Sequence, residues 1–380
     1  MILLLLLTLF TVGNVIAKGP AAPPFIPDIS ENWTPIYPAD LYPDFEFEGL
    51  SPACSNGIGT ESDEFFFFVK AGNVNNLVVY FQGGGACWDP LTCLIYKPFS
   101  PDVTLDDNPE NGRGMFDLQD PDNPFRDWSF VFVPYCTGDI HWGANDKEYT
   151  YSGITRTIQH RGFVNFQVVL KYITETFAKP HKIFVTGSSA GAYGALGGFP
   201  WIKEAYPKSQ VSLLGDAGMG VSPPEYTQLS RPNWNTQIAP WLFDTSDSYP
   251  TVPEIWNRVA EYYPHSKIAE FTNAFDGTQI AFYGLMFLTI GIPSPPDVQM
   301  DWHTQMWEGV DYKSLSPNYR YYVAEGERHT ILGTSHFYTE SSAEGILFLD
   351  WLTAMIMNQG GTGGHGAMPW IDIACDACRE

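Results

Sequence analysis

Short apolar runs alternate along the chain with stretches of helical spacing. Phe65-Phe66-Phe67-Phe68-Val69-Lys70 reads as a strand, and a turn follows at Asn73 to Asn76. Leu77-Val78-Val79-Tyr80-Phe81 is apolar without interruption, which predicts a strand buried on both faces. Phe130-Val131-Phe132-Val133, Ile183-Phe184-Val185-Thr186, Val211-Ser212-Leu213-Leu214 and Arg320-Tyr321-Tyr322-Val323 predict four more strands. Between them, 162–177 carries Phe166, Val169, Leu170 and Ile173 at one-face helical spacing, and 190–206 and 342–357 also suit helices. Apolar strands that alternate with helices imply a mainly parallel central sheet covered on both faces, an α/β architecture. Residues 217–316 lack that rhythm and are rich in Pro, Trp and Tyr. They predict a helical and loop insertion over the C-terminal edge of the sheet, where a lid or substrate-binding wall belongs. Residues 18–50 are Pro-rich and extended, an arm laid over the domain, and no internal repeat is present.

Charge narrows the function classes. The chain has 380 residues and a formal net charge of −23, from 43 acidic and 20 basic side chains. Neutralising phosphates needs Lys and Arg, so nucleic-acid binding is excluded as a main role. Docking onto anionic membranes is disfavoured for the same reason. A polyanionic substrate would be repelled at low salt unless the cleft itself were locally neutral or basic. Aromatic residues make up 15% of the chain, enough to line an apolar or carbohydrate-binding cleft as well as fill a core.

The N-terminus points to export. Met1-Ile2-Leu3-Leu4-Leu5-Leu6-Leu7-Thr8-Leu9-Phe10 is apolar, and Val15-Ile16-Ala17 offers a small-residue cleavage pattern. Residues 1–17 therefore read as a signal peptide, although only the α-amino group supplies positive charge ahead of the run. The run is short for a span, which needs ~20 apolar residues, so cleavage with no stable membrane insertion afterwards is expected, a retained membrane anchor being the alternative. Six cysteines remain: Cys54, Cys87, Cys93, Cys136, Cys375 and Cys378. An even count in an exported chain suggests three disulfides. Cys87–Cys93 and Cys375–Cys378 are the local candidates, leaving Cys54–Cys136; Cys375-x-x-Cys378 could instead serve redox or metal chemistry. Asn32-Trp33-Thr34 matches a glycosylation acceptor.

The sharpest chemical signal is Gly187-Ser188-Ser189-Ala190-Gly191, between a predicted strand and a predicted helix. G-x-S-x-G in that setting is a nucleophile elbow, with small residues around a strained turn and a helix N-terminus behind the serine. Ser189 is the candidate nucleophile; Ser188 would lie one residue too early. Gln82-Gly83-Gly84-Gly85-Ala86-Cys87-Trp88 ends the second predicted strand. Acyl transfer creates an oxyanion that needs aimed N–H donors, and glycines let backbone amides come close. Gly84 and Gly85, with Ala190 after the nucleophile, are the candidate donors. No Gly-Lys-Ser/Thr follows, so a phosphate cradle is not indicated. A base is expected after the nucleophile in chain order. His329 and His336 lie just after the last predicted strand; His303 and His265 fall in the insertion. For the acid that orients the base, residue pattern alone leaves Asp276 and Asp216 level.

Together these segments resemble the pectin acetylesterase/Notum family of serine carboxylesterases, within the α/β-hydrolase superfamily. The resemblance rests on the glycine loop with its cysteines over 82–93 and on Val133-Pro134-Tyr135-Cys136-Thr137-Gly138-Asp139-Ile140-His141-Trp142-Gly143. It rests also on the elbow, on Gly215-Asp216-Ala217-Gly218 and on the Cys375-x-x-Cys378 ending. The resemblance implies an α/β-hydrolase-like catalytic domain over 51–380. The family's aspartate sits in a Phe-Asp-x-x-Gln-like setting, which Phe275-Asp276-Gly277-Thr278-Gln279 matches. Its histidine precedes a second one by seven residues, which selects His329 ahead of His336. The resemblance thus implies Ser189, Asp276 and His329 as catalytic residues, with no metal or organic cofactor. The implied activity is ester hydrolysis, first of all removal of acetyl groups from a polysaccharide such as pectin. A lipid or long-acyl carboxylesterase and a non-catalytic carbohydrate-binding relative are the competing readings. Animal members carry Trp where this chain has Gly85, have more disulfides and bind a fatty acyl chain. The expected partner is an acylated polysaccharide or small ester, and the chain is expected to act as a monomer.

Overall fold

A computed structural model describes residues 29–57, 62–246, 248–357, 370–375 and 378–379. The signal-peptide expectation for 1–17, the first part of the arm and the glycine-rich tail lie outside the described residues. The strands are β1 (Thr34–Ile36), β2 (Phe67–Lys70), β3 (Asn76–Phe81), β4 (Ser129–Val133), β5 (Asn145–Tyr151), β6 (Ile154–His160), β7 (Lys182–Ser188), β8 (Gln210–Asp216), β9 (Ile268–Asn273), β10 (Tyr319–Ala324) and β11 (Ile373–Ala374). The helices are α1 (Pro38–Leu41), α2 (Gly162–Thr176), α3 (Ala190–Ala205), α4 (Pro224–Trp234), α5 (Val252–Tyr262), α6 (Gly277–Ile290), α7 (Val298–Lys313) and α8 (Phe348–Ile356).

Among the described residues, nine strands form one sheet in the order β1-β2-β4-β3-β7-β8-β9-β10-β11. β1, β2 and β4 pair antiparallel at one edge, and every pairing from β4 onward is parallel. This is a mixed, mostly parallel sheet with helices around it, as the sequence predicts. The apolar runs supply its centre: Val78, Val79, Phe130, Val131, Phe184, Val185, Leu213 and Leu214 have no exposed surface. Helix α3 packs on β7, β8 and β3, and α8 sets Phe348 against Phe271 and Tyr322.

The span 217–316 holds more than an insertion. It supplies α4 to α7, and it also supplies β9, paired between β8 and β10. Glu270 masks this strand in the sequence, because it interrupts the apolar run Ile268-Ala269-Glu270-Phe271. The carboxylate is buried and makes an ion pair with the buried ammonium of Lys313 on α7, while Tyr319 OH donates to it at 2.6 Å. A buried charge is tolerated when paired and hydrogen-bonded in this way. The β5–β6 hairpin is also absent from the sequence reading. It turns through Ser152 and Gly153, both at positive φ, as two-residue hairpins favour. The arm contributes β1 to the sheet edge and the short helix α1.

Three disulfides form: Cys54–Cys136, Cys87–Cys93 and Cys375–Cys378. No helix among the described residues is long and apolar enough to cross a membrane. The C-terminal ends of β3, β7, β8, β9 and β10 lie side by side, with Phe81 beside Gly187, Ser188 beside Asp216, and Asn273 beside Ala324. Chemistry on an open parallel sheet collects at that edge.

Candidate active site

Ser189 sits between β7 and α3 with φ 57° and ψ −123°, a strained backbone for a residue with a side chain. The turn is held by its amide, which donates to the Asp216 carbonyl at 2.7 Å. It also needs bare backbone behind it: a Cβ on Gly191 would stand 1.9 Å from the Phe81 carbonyl oxygen. Strand β3 and the elbow can therefore touch only because residue 191 is glycine.

His329 follows β10 and precedes Thr330, which has φ 65°. Its Nδ1 lies 2.8 Å from Asp276 Oδ2 and 3.0 Å from Oδ1. Asp276 is fully buried after β9 and caps α6. Oδ1 accepts from the amides of Thr278 and Gln279 at 3.1 and 3.0 Å, and Oδ2 accepts from Gln279 Nε2 at 2.9 Å. These donors satisfy both carboxyl oxygens at the helix N-terminus. Gln279 is braced in turn, donating to Thr272 Oγ1 and accepting from the Met219 amide. The other ring nitrogen, His329 Nε2, is buried and has no hydrogen-bond partner among the described residues. Ser189 and His329 line one cavity.

Gly85 and Ala190 line that cavity as well. Gly85 has φ 76°, and a Cβ on it would strike the Pro98 carbonyl oxygen at 1.8 Å. Gly84 is set back against Tyr135 and Ser100. The loop that carries these glycines is anchored from several sides. Gln82 Nε2 donates to Asp107, Trp234 Nε1 to the Cys87 carbonyl, and Trp88 Nε1 to Thr289 on α6.

The rivals separate cleanly. Ser188 is buried, accepts from Tyr80 OH at 2.9 Å and donates to Asp216 Oδ2 at 2.6 Å. Asp216 makes no bond to the His329 ring. It accepts from the amides of Ile331 and Leu332 at 3.0–3.1 Å, which holds the histidine loop to the end of β8. Burial raises its carboxyl to about 6. His336 lies in a 3-10 turn outside the cavity lining, and His265 is exposed. His303 is buried, stacked on Phe275 and bonded to the Cys378 carbonyl. Asp139 of the family-like segment is buried and accepts from Thr137 Oγ1 and the amides of His141, Gly143 and Gly162, so it shapes the turn that presents Ile140 to the cavity. Cys87, Cys93 and His160 cluster at metal-ligand distance, but both thiols are spent in a disulfide.

The cavity walls are mainly apolar, with Trp88, Tyr226, Val252, Phe282 and Met286 among them. One charged wall residue, Arg231 in the last turn of α4, is absent from the sequence reading. Nothing in Ser230-Arg231-Pro232 marks it among the 20 basic residues. Only the fold brings it to the cavity that Ser189 lines.

Comparison with known proteins adds family to geometry. The pectinacetylesterase family model matches residues 59–237, a stretch that contains the glycine loop and the elbow. The human palmitoleoyl-protein carboxylesterase NOTUM is 25% identical over 190 residues, covering 46% of this chain and 36% of that protein. Pectin acetylesterase 11 of Arabidopsis thaliana is 28% identical over 149 residues, covering 38% of this chain and 37% of that protein. The Xenopus laevis carboxylesterase notum2 is 29% identical over 125 residues, covering 31% and 24%. The chain thus spans about a third of the length of the human and plant relatives it matches. The glycine loop and the serine elbow lie inside the matched stretch, where the chain is similar to the pectin acetylesterase/Notum family.

Proposed function

We propose that the chain is an exported serine carboxylesterase that works through Ser189, His329 and Asp276. The observation that carries this reading is the His329 ring, held at Nδ1 by a buried carboxylate and free at Nε2, on the cavity that Ser189 also lines. In the first step Ser189 Oγ attacks the ester carbonyl carbon and its proton passes to His329 Nε2. The amides of Gly85 and Ala190, with Gly84 beside them, stabilise the oxyanion. The tetrahedral intermediate collapses, the C–O bond breaks, and the alcohol leaves with the proton from Nε2. Water, deprotonated by the same nitrogen, then releases the acid from the acyl-serine. Asp276 holds one tautomer and stabilises the imidazolium. Three disulfides suit an oxidising compartment.

The substrate we favour is an acetylated polysaccharide such as pectin. The apolar cavity wall supports a second reading, hydrolysis of a long-acyl ester. Acetate release from acetylated pectin, set against hydrolysis of nitrophenyl palmitate, separates the two. Ser189→Ala should lower turnover of any ester at least ~10³-fold. It should also abolish labelling by a fluorophosphonate, with the melting temperature unchanged. Full activity in that variant would sink the assignment.

A further inference from the structure

Arg231 is 3% exposed, yet it has no carboxylate partner among the described residues. Its Nε and Nη1 are buried without a hydrogen-bond acceptor, and the residue lines the cavity that holds Ser189 and His329. An isolated buried cation is costly by several kcal/mol, and folds seldom keep one without a counter-charge. Part of the cost is offset locally. The guanidinium stacks at 4.3 Å over the Trp142 ring and at 5.5 Å from that of Trp234. It also sits at the C-terminal, negative end of α4. The groups facing it electrostatically are the tyrosines Tyr193, Tyr226 and Tyr249. Tyr193 and Tyr226 are driven upward by burial and are neutral near pH 7. Burial lowers the guanidinium only to about 10, so it remains a cation. The position is built rather than incidental. Trp234 and Asn233, next to it, bond to the carbonyls of Cys87 and Trp88 in the glycine loop. In a chain of net charge −23 the catalytic cavity therefore contains a held, unneutralised positive charge.

We propose that Arg231 is a specificity-determining residue that pairs with a carboxylate carried by the ester substrate. The proposal rests on the esterase reading above and deepens it. A carboxylate can reach the cavity on the alcohol side, as in an acetylated uronic acid, or on the acyl side, as in the half-ester of a dicarboxylic acid. Either supplies the missing counter-charge, and a guanidinium fork matches it in two parallel hydrogen bonds. A saturated fatty chain supplies nothing to it.

The test uses two matched substrate pairs and one neutral reference. The first pair is an acetylated trigalacturonate with free carboxylates and its methyl-esterified form. The second is the nitrophenyl half-ester of glutaric acid and nitrophenyl pentanoate. Nitrophenyl acetate is the reference. For the wild type, the carboxylate member of at least one pair should have a kcat/KM roughly tenfold or more above its neutral counterpart, mainly through KM. The pair that does so names the side. Arg231→Met and Arg231→Gln should erase that preference while nitrophenyl acetate hydrolysis stays within about threefold. A residue that only packs against Trp142 would lower all five substrates together, and that outcome overturns the proposal. Equal wild-type rates within both pairs also overturn it, without any variant. Silence on all five substrates, with no fluorophosphonate label, overturns the esterase reading itself, and the arginine proposal falls with it.

Discussion

Asp216 and Asp276 look alike in sequence, each preceding a small residue, so residue type cannot rank them. Their partners do. Asp276 reaches the His329 ring, whereas Asp216 ties Ser188 of the elbow to the amides of Ile331 and Leu332 just after the histidine. Those long-range bonds span 53 and 115 residues and have no local signature. Ser189 is legible because its requirements are local: a strand before, a helix after, and small neighbours between. Arg231 is illegible because its role depends on what it lacks. Asp216 also carries a pH signature. Its carboxyl rises from 3.8 to about 6 in the native state through burial, so the native protein binds that proton more tightly than the unfolded chain. This contribution to stability is complete below about pH 4 and is lost as the pH rises through about 6. The size is on the order of 3 kcal/mol. Denaturant unfolding of wild type and Asp216→Asn should give stability curves that diverge across that window, the variant gaining relative to the wild type as pH rises. Parallel curves would contradict the assignment.

At the scale of elements, the continuous apolar strands are read correctly, and so are α3 and α2, the latter with its one-sided spacing, while the helix expected over 342–357 forms only over Phe348–Ile356. The failures have two causes, a partner distant in sequence and a lack of apolar signal. Strand β9 is hidden by Glu270, whose partner Lys313 comes 43 residues later. The β5–β6 hairpin is largely exposed, so it has little apolar signal to detect. Cysteine arithmetic succeeds because two of three bridges are local. The third, Cys54–Cys136, closes a loop with a sequence separation of 82 and binds the segment before β2 to the one after β4. Chain-entropy reasoning assigns such a loop roughly 4 kcal/mol. Replacing both cysteines by alanine should lower the unfolding free energy by about 3–4 kcal/mol in denaturant titration. An unchanged midpoint would mean that the unfolded chain is already restricted there.

For the whole molecule, a net charge of −23 surrounds a cavity with a cation inside. The long-range field repels an approaching polyanion, while the contact inside attracts its carboxylate. Salt acts mainly on the first, since the Debye length falls to ~10 Å at 0.1 M and buried charges are screened less. Raising ionic strength from about 20 mM to about 200 mM should increase kcat/KM on acetylated oligogalacturonate several-fold and leave nitrophenyl acetate nearly unchanged. A fall on the oligosaccharide would mean that the inner contact dominates its approach. Helix α6 adds a mechanical link within this whole. It starts on the Asp276 cap and, within its ~20 Å length, walls the cavity with Phe282 and Met286. A guest that fills the cavity thus leans on the same rod that seats the carboxylate behind the histidine. The cavity wall and the seat of that carboxylate are thus two ends of one element, and a substitution that shifts α6 to reshape the wall would also shift the cap.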